Sequence, residues 1–77
     1  MNVYLLTQNK VKGYDTYDSC VVIAENEEDA KTIHPSFFGN WDFSSWCKKP
    51  SQVKAKFIGT AKEGSKRGVV CASFNAG

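Results

Sequence analysis

S-C-V-V-I-A-E-N-E-E-D-A-K-T-I-H-P, residues 19–35, is the stretch whose reading decides the fold. Its first six residues are nearly all apolar, and Val21, Val22 and Ile23 are β-branched. That pattern suits a strand covered on both sides, or a central strand with a helix over one face. The chemistry then changes within two residues. Asn26 offers a side-chain oxygen to an orphan amide and reads as an N-cap. Glu27, Glu28 and Asp29 set negative charge against the positive helix end. Asp29 lies three residues after Asn26, a variant of the capping-box spacing. Ala30 and Ile33 can face a sheet, His34 falls in the last turn, and Pro35 clashes with any continuation. The spacing predicts a helix of about eight residues, too short to stand without tertiary packing.

Upstream, residues 3–7 (V-Y-L-L-T) read as a first strand, and 8–18 are polar with Gly13 as the turn point. Downstream, 35–50 (P-S-F-F-G-N-W-D-F-S-S-W-C-K-K-P) holds five aromatics, more than a polar surface loop needs. This loop is expected to fold back over the sheet, with a turn of helix near 43–47. Residues 52–60 alternate: Val53, Ala55 and Phe57 fall on one face, Lys54, Lys56 and Ile58 on the other. Residues 61–67 read as an open turn, and 68–74 as a final strand with Val69 and Cys71 opposite Val70, Ala72 and Phe74. The fold class is α+β: a small, mostly antiparallel sheet in the order ββαββ, closed by a hairpin. One short helix packs on one face, and the loop is long and aromatic-rich. Residues 1–77 make a single domain.

A chain of 77 residues buries a modest share of its surface, so its core is marginal. Two Trp, three Tyr and five Phe offset this in part, and a homodimer would offset it further. At 42% hydrophobic and 23% charged, the composition is that of a globular domain. Cys20, Cys47 and Cys71 are odd in number and lack C-x-x-C spacing, which speaks against a secreted disulfide framework. Residues 1–8 carry no charged n-region and do not read as a signal peptide. No apolar run approaches the roughly 20 residues of a membrane span. The expected setting is a reducing cytoplasm.

Net charge is +2, but it is unevenly spread. Residues 1–46 hold seven acids against three bases; residues 47–77 hold seven bases against one acid. Such asymmetry means either faces of opposite sign with an acidic partner at the basic end, or neutralisation across the fold.

No metal site or cofactor is expected. Cys20, Cys47, Cys71 and His34 nominally make a Cys₃His set, but no two of them have the close spacing of a structural zinc site. Nor are catalytic residues expected. There is no nucleophile elbow, phosphate-cradling Gly loop or H-E-x-x-H helix. The segment G-Y-D-T-Y-D, residues 13–18, has two readings: a turn capped by its own Asp and Thr side chains, or a recognition surface in which Tyr gives rigid area and Asp pairs with Arg. The candidate partner-binding set is Tyr14, Asp15, Tyr17, Asp18, Glu25, Glu27 and Glu28, with Trp41 and Trp46 as exposed anchors of the aromatic loop. An alternative nucleic-acid surface draws on Lys48, Lys49, Lys54, Lys56, Lys66 and Arg67, with Trp46 nearby for base stacking.

Four segments carry a resemblance: V-Y-L-L-T-Q at 3–8, G-Y-D-T-Y-D-S-C-V-V-I-A at 13–24, E-D-A-K-T-I-H-P at 28–35 and G-V-V-C-A-S-F-N-A-G at 68–77. Together they resemble a group of small uncharacterised proteins encoded by tailed bacteriophages and prophages. The 36–50 loop and the 60–67 turn match least well. The resemblance supplies no catalytic residues. It implies a phage accessory protein in the cytoplasm of an infected bacterium, without enzymatic activity. Its expected action is stoichiometric inhibition of a host or anti-phage defence protein, in the manner of an anti-CRISPR. The acids would occupy Arg/Lys grooves meant for phosphate. The alternative is a small nucleic-acid- or nucleotide-binding module using the basic half.

Overall fold

In a computed structural model that describes residues 1–10, 16–36, 46–47 and 49–75, all strand pairs are antiparallel. The elements are β1 (Asn2–Thr7), β2 (Thr16–Ala24), α1 (Glu27–Lys31), a 3-10 turn at Pro50–Gln52, β3 (Lys54–Thr60) and β4 (Gly68–Asn75). They form one four-stranded sheet in the order β3-β1-β2-β4. The α+β class and the ββαββ chain order match the sequence reading.

The expected closing hairpin is absent. β3 and β4 occupy opposite edges, separated by β1 and β2. Crossing three strand spacings takes about 14 Å, well within reach of the 61–67 connection. A turn bends that connection, with the Lys62 carbonyl accepting from the Ser65 amide at 3.0 Å. Gly64 sits in this turn at φ 89°, where a side chain would be strained.

α1 begins as its sequence dictates. Asn26 Oδ1 accepts from the Asp29 amide at 2.9 Å, and Asp29 Oδ2 accepts from the Glu25 amide at 3.1 Å. The helix is five residues long, shorter than expected. Thr32 and Ile33 donate to the carbonyls three residues back, so the last turn tightens into 3-10 geometry well before Pro35. α1 lies over β1, β2 and β3.

The core lies between the sheet and this helical side. Tyr4, Leu6, Cys20, Val22 and Ala24 meet Ala30, Ile33, Trp46, Cys47 and Val53. Pairing Tyr4 with Val22 and Leu6 with Cys20 puts these residues on one face. The intervening pairs, Val3 with Ile23 and Leu5 with Val21, point to the other face and are only half-buried. Of the two readings of this strand, the central strand with a helix over one face is the one found among the described residues.

Register shifts leave Asp18, Ile58 and Val70 as extra residues, all exposed. The Val70 bulge corrects the expected facing of β4. Val69 and Ala72 lie opposite Val22 and Cys20 on the covered side, and Cys71 lies opposite Val21 on the open side.

Candidate interaction surface

The acidic candidates divide between the two ends of the sheet. Asp18 is exposed near the start of β2, whereas Glu25, Glu27 and Glu28 are exposed just beyond its end and in α1. Seven strand steps put these groups about 23 Å apart. They do not form one patch. Tyr14, Asp15 and Trp41 lie outside the described residues.

Tyr17 is half-buried and has structural work. Its ring packs at a tilt against Phe74, with centroids 4.8 Å apart, and meets the buried His34 edge-on at 6.4 Å. Its carbonyl accepts from Gln8 Nε2 at 3.1 Å. Beneath it, His34 meets Trp46 edge-on at 6.4 Å, and His34 Nδ1 accepts from the Ser36 amide at 3.0 Å. Trp46 is 0% exposed. It is a core residue, so it serves neither as an exposed anchor nor as a base-stacking ring, because a marginal core claims its largest side chain.

At the helical end the opposite charges meet. Arg67 Nε donates to Asp29 Oδ2 at 2.9 Å and its Nη2 to Asp29 Oδ1 at 2.9 Å, a two-pronged pair. The same Nη2 donates to Thr32 Oγ1 at 3.0 Å. The Arg67 hydrogen bonds hold the Asp29 carboxyl below its ordinary range. Glu27 pairs with Lys31 at 3.5 Å within the helix. Arg67 is therefore engaged within the fold, with its side chain still partly exposed. Of the other candidate bases, Lys49, Lys54 and Lys56 lie at or near the start of β3, Lys66 lies beyond its far end, and Lys48 is outside the described residues.

A shallow cleft of about 210 Å³ is lined by Thr7, Gln8, Asn9, Gln52 and Lys54. It is smaller than an ordinary small-molecule pocket. Cys20 and Cys47 are buried in the core, whereas Cys71 faces out on the opposite side, so the three thiols do not converge. Burial, with Cys71 adding to it, pushes the Cys20 thiol up to about 12. Burial also raises Cys47. No described helix is long and apolar enough to cross a membrane.

What the sequence reading missed is the second sheet face, left open by the described residues. The pairs run Gly59–Val3–Ile23–Gly68 across all four strands. The next row runs Lys56–Leu5–Val21–Cys71, and the one beyond it Lys54–Thr7–Ser19–Ser73. The face thus grades from apolar, beside the acidic Glu25–Glu28 end, to polar at the other end. Glycine at both rims of the first row leaves Val3 and Ile23 unshielded by edge side chains. The signal was present in the apolar residues at both parities of V-Y-L-L and C-V-V-I, but nothing local says which parity is covered.

Comparison of this chain with protein-family models, with curated proteins and with solved structures finds no significant match.

Proposed function

We propose that this chain is a non-enzymatic phage accessory protein that acts by stoichiometric binding to a host or anti-phage defence protein, in the manner of an anti-CRISPR. The observation supporting it is the open face: half-buried Val3, Leu5, Val21 and Ile23, continued at one end by exposed Glu25, Glu27 and Glu28. Apolar area beside a cluster of acids suits a partner whose own apolar patch is bordered by Arg and Lys, as in a groove that handles nucleic acid. The phage setting rests on the four-segment resemblance. Tagged protein purified from infected cells should bring down one host protein in fixed ratio. Ile23→Asp, or Glu27→Lys with Glu28→Lys, should lower that recovery about tenfold, with circular dichroism unchanged. Asp18→Lys, at the far end of β2, should have no effect. Normal recovery with both helical-end variants would place binding elsewhere.

A second reading is favoured by Lys54 and Lys56, exposed two residues apart on the open-face side of β3 beside Thr7 and Leu5. As a nucleic-acid or nucleotide site, this pair predicts salt-sensitive binding of DNA, RNA or cyclic nucleotides that Lys54→Glu with Lys56→Glu abolishes. A flat titration removes it.

A further inference from the structure

The cleft lined by Thr7, Gln8, Asn9, Gln52 and Lys54 forms where β1 ends and β3 begins. Thr7 pairs with Lys54, so their side chains stand next to each other on one face and make the floor. One wall is a turn that Gln8 closes with its own side chain. Gln8 Oε1 accepts from the Lys10 amide at 2.8 Å and its Nε2 donates to the Tyr17 carbonyl at 3.1 Å, which holds Asn9 at the tip. The other wall is the 3-10 turn at Pro50–Gln52. The Val53 amide donates to the Pro50 carbonyl at 3.0 Å, and Val53 is buried in the core, so Gln52 is fixed at the rim.

Gln8 is committed to the fold. The Thr7 hydroxyl, the Asn9 amide and the Lys54 ammonium, by contrast, make no hydrogen bond or ion pair among the described residues. The cleft thus offers three uncommitted donors, one of them a cation, and no carboxylate lines it. Further lysines adjoin it in sequence: Lys10 follows Asn9, Lys49 precedes the 3-10 turn, and Lys56 lies two residues beyond Lys54 on the same side of β3. Of the described acids, Asp18 is closest in register, beside Ser19 and one strand away from Thr7. Glu25, Glu27 and Glu28 lie toward the far end of the sheet. The local balance of charge favours an anion.

We propose that this cleft seats a phosphate group, with Lys54, Asn9 and Thr7 donating to its oxygens. Lys, Thr and Asn side chains are ordinary donors to phosphate. Donors placed on a floor and a wall, rather than in one plane, suit a tetrahedral oxyanion over a planar carboxylate. A volume of about 210 Å³ is below the roughly 300–1,000 Å³ that takes a drug-sized ligand, so the phosphate enters and any attached nucleoside stays outside, toward Lys56. The inference deepens the second reading above and rests on it only for the source of the phosphate: a nucleotide or the end of a single strand, as against free phosphate.

Titration of the whole chain by amide NMR, at constant ionic strength held with sodium chloride, separates these outcomes. Inorganic phosphate should shift the amides of residues 7–10 and 52–54 saturably, and acetate should not. A 5′-phosphorylated dinucleotide should move the same amides and also Lys56, whereas its unphosphorylated form should leave the cleft unmoved. Asn9→Asp and Lys54→Met, both at exposed positions, should each weaken phosphate binding about tenfold or more, the loss expected for one charge-assisted hydrogen bond, with circular dichroism unchanged. Lys56→Met should weaken the dinucleotide and spare inorganic phosphate. Phosphate binding without dinucleotide binding would keep the cleft and remove the nucleotide reading. Dinucleotide binding that is lost in Lys54→Met but untouched by Asn9→Asp would keep the lysine pair and overturn the cleft. The proposal is also overturned if phosphate causes no saturable shift, or if acetate matches it.

Discussion

The two faces of the sheet are made from the same strands and nearly the same residue types, yet they have different fates. On the covered face Leu6 and Val22 are 0% exposed. One residue along, Leu5 and Val21 are half-buried on the face away from α1, the one described α-helix. Hydrophobicity along a strand therefore does not distinguish core from contact surface in this chain. What distinguishes them is where α1 and the Trp46–Cys47 segment come to rest.

The sharpest way to break the comparison is to damage the covered face. Trp46→Ala should cost about 3–5 kcal/mol and Leu6→Ala about 2–5. Against a domain stability of about 5–15 kcal/mol, either loss leaves a small chain near its unfolding point. Urea unfolding followed by tryptophan fluorescence (or by circular dichroism for the Trp variant) measures this. Trp46→Phe should cost less than its lost volume suggests. It also removes an indole N–H that has no hydrogen-bond partner among the described residues.

On the open face the outcome should invert. Val21→Thr or Ile23→Thr keeps β-branching and should shift the urea midpoint by about 1 kcal/mol or less. Partner capture should suffer far more than stability. Equal losses of stability on the two faces would mean that the open face is covered after all.

The smallest effect belongs to the Asp29–Arg67 pair, which joins helix to turn at the sheet's end. It is partly exposed, so Asp29→Asn should cost about 1 kcal/mol or less at neutral pH. The sign of its pH dependence is fixed. The folded-state carboxyl lies below its ordinary 3.8. Its contribution is thus complete above 3.8 and fades as pH falls through the lower folded value. Unfolding curves for wild type and Asp29→Asn should converge under those acid conditions. A gap that persists below them would assign the loss to helix capping rather than to the ion pair.

The start of α1 was legible in the sequence because Asn26 and Asp29 act on amides within a few residues of themselves. The strand at 19–24 was legible for the same reason, as an unbroken apolar, β-branched run. The acidic half and the basic half were also visible, but their partial neutralisation through Arg67 was not, since 38 residues separate that pair. The candidate site fared less well than the fold. Trp46 went to the core and Tyr17 into a cluster of rings with Phe74 and His34, because a small domain recruits its large side chains for packing first.

By itself the sequence determined the α+β class, the chain order of the elements and the cap of the helix. These follow from nearest-neighbour chemistry: alternation, branching, and side-chain oxygens within reach of orphan amides. Only the tertiary structure decided that β3 and β4 take opposite edges and that, among the described residues, one face of β2 stays open. Those outcomes depend on the path taken by the 61–67 connection and on where the helix docks. A seven-residue polar connection has the same local chemistry whether it closes a hairpin or crosses the end of a sheet, so the choice is made by the contacts at its two ends.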